Sequence, residues 1–151
     1  MHNHETLTLS LSDASYLAGL VDGEGCITAF RRRAHSESRE RHPSAVGGIR
    51  IAMCAPDLIQ WICSFAGVGK VYFLPARKKT HKDCWLWQPG LQGSARFLEA
   101  ILPYLRLKRQ QATLLIELAQ IKAQSRRGRQ RDLERQQEIV REIQVLNKRG
   151  I

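Results

Sequence analysis

The sequence predicts an α+β fold with one antiparallel sheet, in the element order α-β-β-α-β-β-α-α-α. Strand-forming segments come in two pairs, each joined by a polar connection, and the intervening segments carry helical apolar spacing. The length of 151 residues is that of a single domain able to bury a core. A hydrophobic content of 43% and a charged content of 25% are ordinary for a globular chain.

Residues 1–12 are polar and mixed and read as a flexible N-terminus. Ser12 reads as an N-cap, with Asp13 in the first turn and Leu11 and Tyr16 at the positions of a hydrophobic staple. The helix would run from Asp13 to about Gly23, where glycines end it. Cys26 to Arg32 is rich in strand formers, and Ile49 to Met53 alternates as a half-buried strand should. Between them RRRAHSESRERHPS (Arg31 to Ser44) is a long, basic hairpin connection. Pro56 fits the first position of a helix with the stripe Leu58, Ile59, Ile62 and Phe65, ended by Gly67. Val68 to Leu74 and Cys84 to Gln88 form the second strand pair, with KKTHKD (Lys78 to Asp83) as its turn. Ser94 caps a short helix carrying Phe97, Leu98 and Ile101, which Pro103 closes. Leu105 to Lys122 is a longer helix, SRRGRQR (Ser125 to Arg131) a basic linker, and a last helix buries Leu133, Ile139, Val140, Ile143 and Leu146. Residues 13–122 thus form the main domain, and 123–151 a linker and a helix that packs on it.

Charge speaks to partners rather than fold. Lys and Arg total 24 against 14 Asp and Glu, a net charge of +10. Nucleic acid is the leading partner, ahead of an anionic membrane surface. No apolar run reaches the ~18 residues of a membrane span, and no signal-peptide pattern opens the chain, so a soluble intracellular protein is expected. Cys26, Cys54, Cys63 and Cys84 form no CxxC and no zinc-finger spacing with His, and they are expected as small buried hydrophobes.

Side chains alternate faces along a strand. Ile27 and Ala29 share one face of the first strand while Thr28, Phe30 and Arg32 share the other. In the second strand Ile49 and Ile51 oppose Arg50 and Ala52. One sheet face is therefore apolar and lies under helices, and the other suits DNA, whose major groove Arg and Thr can read. Trp85 and Trp87 share a strand face, expected to be core.

The stretch LAGLVDGEG (Leu17 to Gly25) combines helix-weakening glycines with acids at the negative end of a helix. Gly19 and Gly23 lie four apart on one face beside Ala18, so another backbone could approach closely. That backbone could belong to a second copy, setting two Glu24 carboxylates together around a divalent cation such as Mg²⁺. Spacing equally allows tight packing within one chain, with the acids solvating a helix end.

LAGLVDGEG resembles the signature of the LAGLIDADG homing endonucleases, of the single-motif type that acts as a homodimer. The element order, the Gly67 to Gly69 turn and PYLRLKRQQATLLIEL (Pro103 to Leu118) extend the likeness over residues 13 to about 122. The resemblance implies an αββαββα core with a saddle-shaped sheet on the DNA major groove and the signature helix at a dimer interface. It implies double-strand cleavage with Mg²⁺, or another divalent cation such as Mn²⁺ or Ca²⁺, at a long near-palindromic site. Carried onto this chain, it makes Glu24 the catalytic metal ligand with the Gly23 carbonyl, and Lys108 the basic residue near the scissile phosphate. Asp22 is a structural helix-end residue. Leu17, Ala18, Gly19, Val21, Asp22 and Gly23 are expected at the dimer interface. Thr28, Phe30, Arg32, Arg33, Arg50, Tyr72, Arg77, Lys79, Arg106 and Arg109 are expected to contact DNA. One departure is Met53, where relatives often carry a Gln that helps place water or metal; a thioether is a poor ligand for Mg²⁺. It supports the alternative of a non-catalytic nucleic-acid binder of this fold, an RNA splicing maturase or DNA regulator.

Overall fold

Ser10, rather than Ser12, caps the first helix. In this computed structural model, which describes residues 10–32, 44–125 and 132–148, α1 spans Leu11–Glu24. The Ser10 hydroxyl accepts the Asp13 N–H at 3.2 Å and donates to the Asp13 carboxylate at 2.9 Å. Moving the cap back by two residues places Leu11 inside the helix and 72% exposed, so it forms no staple with Tyr16.

The elements then follow in the expected order: β1 (Gly25–Arg31), β2 (Ala45–Met53), α2 (Pro56–Ala66), β3 (Lys70–Leu74), β4 (Cys84–Gln88), α3 (Leu91–Ile101), α4 (Arg109–Ser125) and α5 (Leu133–Lys148). The sheet is antiparallel throughout, in the spatial order β1-β2-β4-β3. Gly67, at φ 62°, closes α2 in the left-handed conformation that glycine adopts without strain. Gly69, at φ 89°, lets the chain turn tightly into β3 against the Trp87 indole.

Several further boundaries differ from the sequence expectation: β2 begins at Ala45, four residues before Ile49, and β3 at Lys70, two after Val68. Ser94 lies inside α3, fully buried, and its hydroxyl accepts the Ile49 N–H at 3.0 Å. It therefore pins α3 to β2, and Gly90 takes the cap position. Leu105 to Lys108 stays outside α4, which a short 3-10 turn at Leu102–Tyr104 precedes.

The helices cover one face of the sheet. Leu17, Ala18 and Val21 of α1 join Ile27, Ile49, Ile51, Trp87, Phe97, Ile101, Leu115 and Ile143 in one continuous core. Trp87 is its largest member, edge-on to Phe97 at 4.9 Å between ring centres, with its indole N–H donated to the Val68 carbonyl at 2.9 Å. Trp85 is half-buried against the same core. Both tryptophans thus stand on the core side, as expected.

The C-terminal helix seals a sheet edge. Among the described residues β1 has no strand beyond it, and the Asn147 side-chain amide donates to the Ile27 carbonyl at 2.9 Å. The Gln136 side-chain oxygen accepts the Ala45 N–H at 3.1 Å. Covering an edge removes a template for unwanted strand pairing. Arg135 fastens α5 to α4 through Glu117, at 2.7 and 2.9 Å. The guanidinium hydrogen bonds hold the Glu117 carboxyl below its ordinary range. No helix among the described residues is long and apolar enough to cross a membrane.

Candidate functional site

The uncovered sheet face is built by strand parity. Cys26 faces Arg50, Thr28 faces Gly48, and Phe30 faces Val46 across the β1–β2 ladder. On the far side Tyr72 pairs Leu86, and Lys70 pairs Gln88. Arg32 and Arg50 are exposed, as are Phe30 (54%) and Tyr72 (47%), whereas Thr28 is half-buried. A concavity of about 850 Å³ opens here, with Thr28, Phe30, Arg32, Arg50, Gln88 and Lys122 in its walls. Cations and aromatic rings thus share one surface, which suits phosphate contact and base-edge contact together. Leu86 breaks the pattern: it lies on this face yet is only 5% exposed and stands outside the main core.

Arg77 and Lys79 are exposed on the β3–β4 connection, whose Asp83 carboxylate accepts the Ala76 N–H at 2.8 Å. Arg106 and Arg109 are exposed beside the end of α1. Arg33 and most of the basic β1–β2 connection lie outside the described residues.

At the end of α1 the two acids separate sharply. The Asp22 carboxylate accepts two backbone N–H groups, from Arg106 at 2.9 Å and Lys108 at 3.0 Å. It ties the 105–108 segment to the helix end and holds it out of α4. Lys108 completes the clasp: its ammonium donates to the carbonyls of Val21 and Asp22, each at 2.9 Å, and of Gly25 at 2.6 Å. A cation on the last carbonyls meets the negative end of the helix dipole. All three ammonium protons are used in this clasp, so the geometry gives Lys108 a structural task. Glu24 is exposed, one residue before the strand that begins the open face.

The expected interface residues also divide. Leu17, Ala18 and Val21 are fully buried in the chain's own core, so they have no surface left for a second copy. Gly19 and Gly23 are exposed, and a Cβ added at either would meet nothing within 4 Å. Packing inside the chain therefore does not require glycine at either position. From Ala14 to Val21 the helix carries no charged side chain. Tyr16 and Trp61 flank this uncharged side at 6.0 Å between ring centres, and Trp61 stacks on toward Phe65 at 5.3 Å. Trp61 lies on the exposed side of α2, off the apolar stripe of Leu58, Ile59, Ile62 and Phe65, and no local pattern in the sequence marks it.

Among the described residues, no group of three or more His, Cys, Asp or Glu side chains could hold a metal ion. One chain offers the Glu24 carboxylate and the Gly23 carbonyl, hard oxygen donors suited to Mg²⁺ but too few to hold it. Met53 ends β2 opposite Trp85, with its side chain packed against the core. The cysteines depart from expectation: Cys26 and Cys54 are exposed, and Cys63 and Cys84 are half-buried.

No family model matches the chain, and a search of curated protein sequences finds no match. Solved structures do match. The homing endonuclease I-CvuI, in complex with uncleaved DNA in the presence of Mg, is 24% identical at a TM-score of 0.64, covering 88% of this chain and 80% of that one. The archaeal intron-encoded homing endonuclease I-Vdi141I, complexed with DNA, is 14% identical at a TM-score of 0.68, covering 88% and 82%. The LAGLIDADG homing endonuclease I-SmaMI, bound to cleaved DNA, is 18% identical at a TM-score of 0.60, covering 92% of this chain but 44% of that one. The fold of this chain is that of the LAGLIDADG homing endonucleases.

Proposed function

We propose that this protein binds double-stranded DNA through the open face of its sheet, as a homodimer paired along α1. The observation that carries the reading is the placement of Arg32, Arg50, Phe30 and Tyr72 on one uncovered face of a chain with net charge +10. The similar structures named above hold DNA, and their likeness in fold supports the same use of the sheet. Salt dependence tests it. Arg50→Ala is expected to weaken duplex binding and to lower the slope of log affinity against log salt by about 1, one lost phosphate contact. An unchanged affinity and slope would remove Arg50 from the interface.

The pairing rests on glycines that the fold itself does not need. A glycine costs a helix interior about 1 kcal/mol relative to alanine, and close backbone approach by a second copy offsets that cost. Gly19→Leu is expected to leave the monomer folded, because its side chain enters open space, and to abolish the dimer in sedimentation. A variant that still dimerises would reject α1 as the contact.

Cleavage is a second reading, favoured by the exposure of Glu24 while Asp22 is engaged in the helix-end clasp. Two copies meeting along α1 would bring two Glu24 carboxylates to one end of the helix pair. Mg²⁺ accepts such carboxylates, with water and phosphate oxygens completing its shell. When bound it would supply an activated water and charge neutralisation for phosphodiester hydrolysis. The chain's own part is to present Glu24 and the Gly23 carbonyl from a helix end that Asp22 and Lys108 hold rigid. The sheet would hold the duplex against that end.

A further inference from the structure

Two of the cysteines meet. The Sγ atoms of Cys54 and Cys84 lie 2.9 Å apart, although the residues are separated by 30 positions in sequence. The sheet register brings them together: Met53↔Trp85 is the last pair of the β2–β4 ladder, and one further step sets Cys54 opposite Cys84. Directly opposed residues in an antiparallel ladder have Cα atoms about 4.5–5.5 Å apart. That range falls inside the roughly 4.4–6.8 Å that a disulfide spans, so side-chain rotation can close the bond without moving the strands. Cys54 is exposed and open to a reagent, whereas the Cys84 thiol is half-buried. The hydrogen bond with Cys54, then burial, pushes the Cys84 thiol above its ordinary range. Cys54 is therefore placed to react first and Cys84 to follow.

We propose that Cys54 and Cys84 form a dithiol site whose substrate is a low-molecular-weight disulfide of the oxidised-glutathione class, and whose product is an intrachain bond from the end of β2 to the start of β4. The Cys54 thiolate attacks one sulfur of the small disulfide, whose S–S bond breaks and releases one thiol after proton uptake. Cys84 then gives up its proton and attacks the Cys54 sulfur of the mixed disulfide, releasing the second thiol. Two protein thiols are oxidised and one small disulfide is reduced to two thiols. The bond fastens to the end of β2 the β4 end of the connection that carries Arg77, Lys78, Lys79 and Lys82.

The test is to incubate the full chain with oxidised glutathione, block remaining thiols by alkylation, and map the cysteines by mass spectrometry. The expected result is a Cys54–Cys84 link that dithiothreitol reverses. A chain carrying Cys26→Ser and Cys63→Ser should form the same link. Cys54→Ser and Cys84→Ser should each leave a glutathione adduct on the remaining member of the pair. Persistent adducts on Cys54 or Cys84 of the unmodified chain would overturn the proposal, as would linkage to Cys26 or Cys63. So would equal pairing frequencies in the folded protein and in urea, since the selectivity comes from the sheet register.

Discussion

Asp22→Ala is expected to destabilise the protein by about 2 kcal/mol, most of it from the part-buried Lys108 N–H left without its charged acceptor, since water can reach the exposed Arg106 N–H. The donors are the N–H groups of Arg106 and Lys108, held at 2.9 and 3.0 Å on the two carboxylate oxygens. Asp22→Asn keeps one acceptor oxygen and should lose about half as much. Lys108→Met removes the ammonium from three carbonyls but keeps most of the aliphatic stem, and is expected to cost about 2 kcal/mol. The two residues clasp the same helix end, so a double-mutant cycle should show coupling rather than additivity. Urea unfolding of the wild type, the three single variants and the double mutant measures all of this. Native-like stability of Asp22→Ala would mean that the clasp does not hold the 105–108 segment.

For Glu24→Gln the expected result concerns chemistry rather than stability. The residue is exposed, so the variant should unfold with the wild-type midpoint and bind duplex DNA with wild-type affinity. Cleavage of a randomised duplex library in Mg²⁺ should fall to background, because a neutral amide oxygen holds a hard divalent cation far more weakly than a carboxylate does. A variant that cuts as well as wild type removes Glu24 from the reaction. A wild-type chain that binds but cuts nothing, in Mg²⁺ or Mn²⁺, leaves DNA binding as the whole activity. Comparing Lys108→Met in the same assay separates its roles: loss of cleavage in step with loss of folded protein marks the structural one.

Several features were legible in the sequence because their causes are local. The strand Cys84–Gln88 matches its expected bounds, and Ile27, Ala29, Ile49 and Ile51 are all buried as their alternation requires. Pro56 and Gly67 bracket α2 as their backbone preferences dictate. The cap of α1 moved for a local reason, the Ser10–Asp13 hydrogen bonds, but the larger departures have long-range causes. Ser94 looked like a cap, but its hydroxyl answers Ile49, 45 residues away. Leu105 to Lys108 looked helical, but Asp22 takes the N–H groups of Arg106 and Lys108 from 84 and 86 residues away. Cys54 and Cys84 looked like core residues, but the sheet places them toward the open face.

The order of the elements and the inward or outward sense of β1 and β2 follow from the residues alone, since alternation and turn chemistry act over a few positions. The same is true of the +10 charge and of the glycine spacing in LAGLVDGEG. What the two acids of that stretch do is a different matter. Three-dimensional contact with the 105–108 segment binds Asp22 and Lys108 into a clasp and leaves Glu24 exposed. It also spends Leu17, Ala18 and Val21 on the core while leaving Gly19 and Gly23 bare. Hydrogen bonds and burial across more than eighty residues depend on how the chain closes on itself, and no local spacing encodes that.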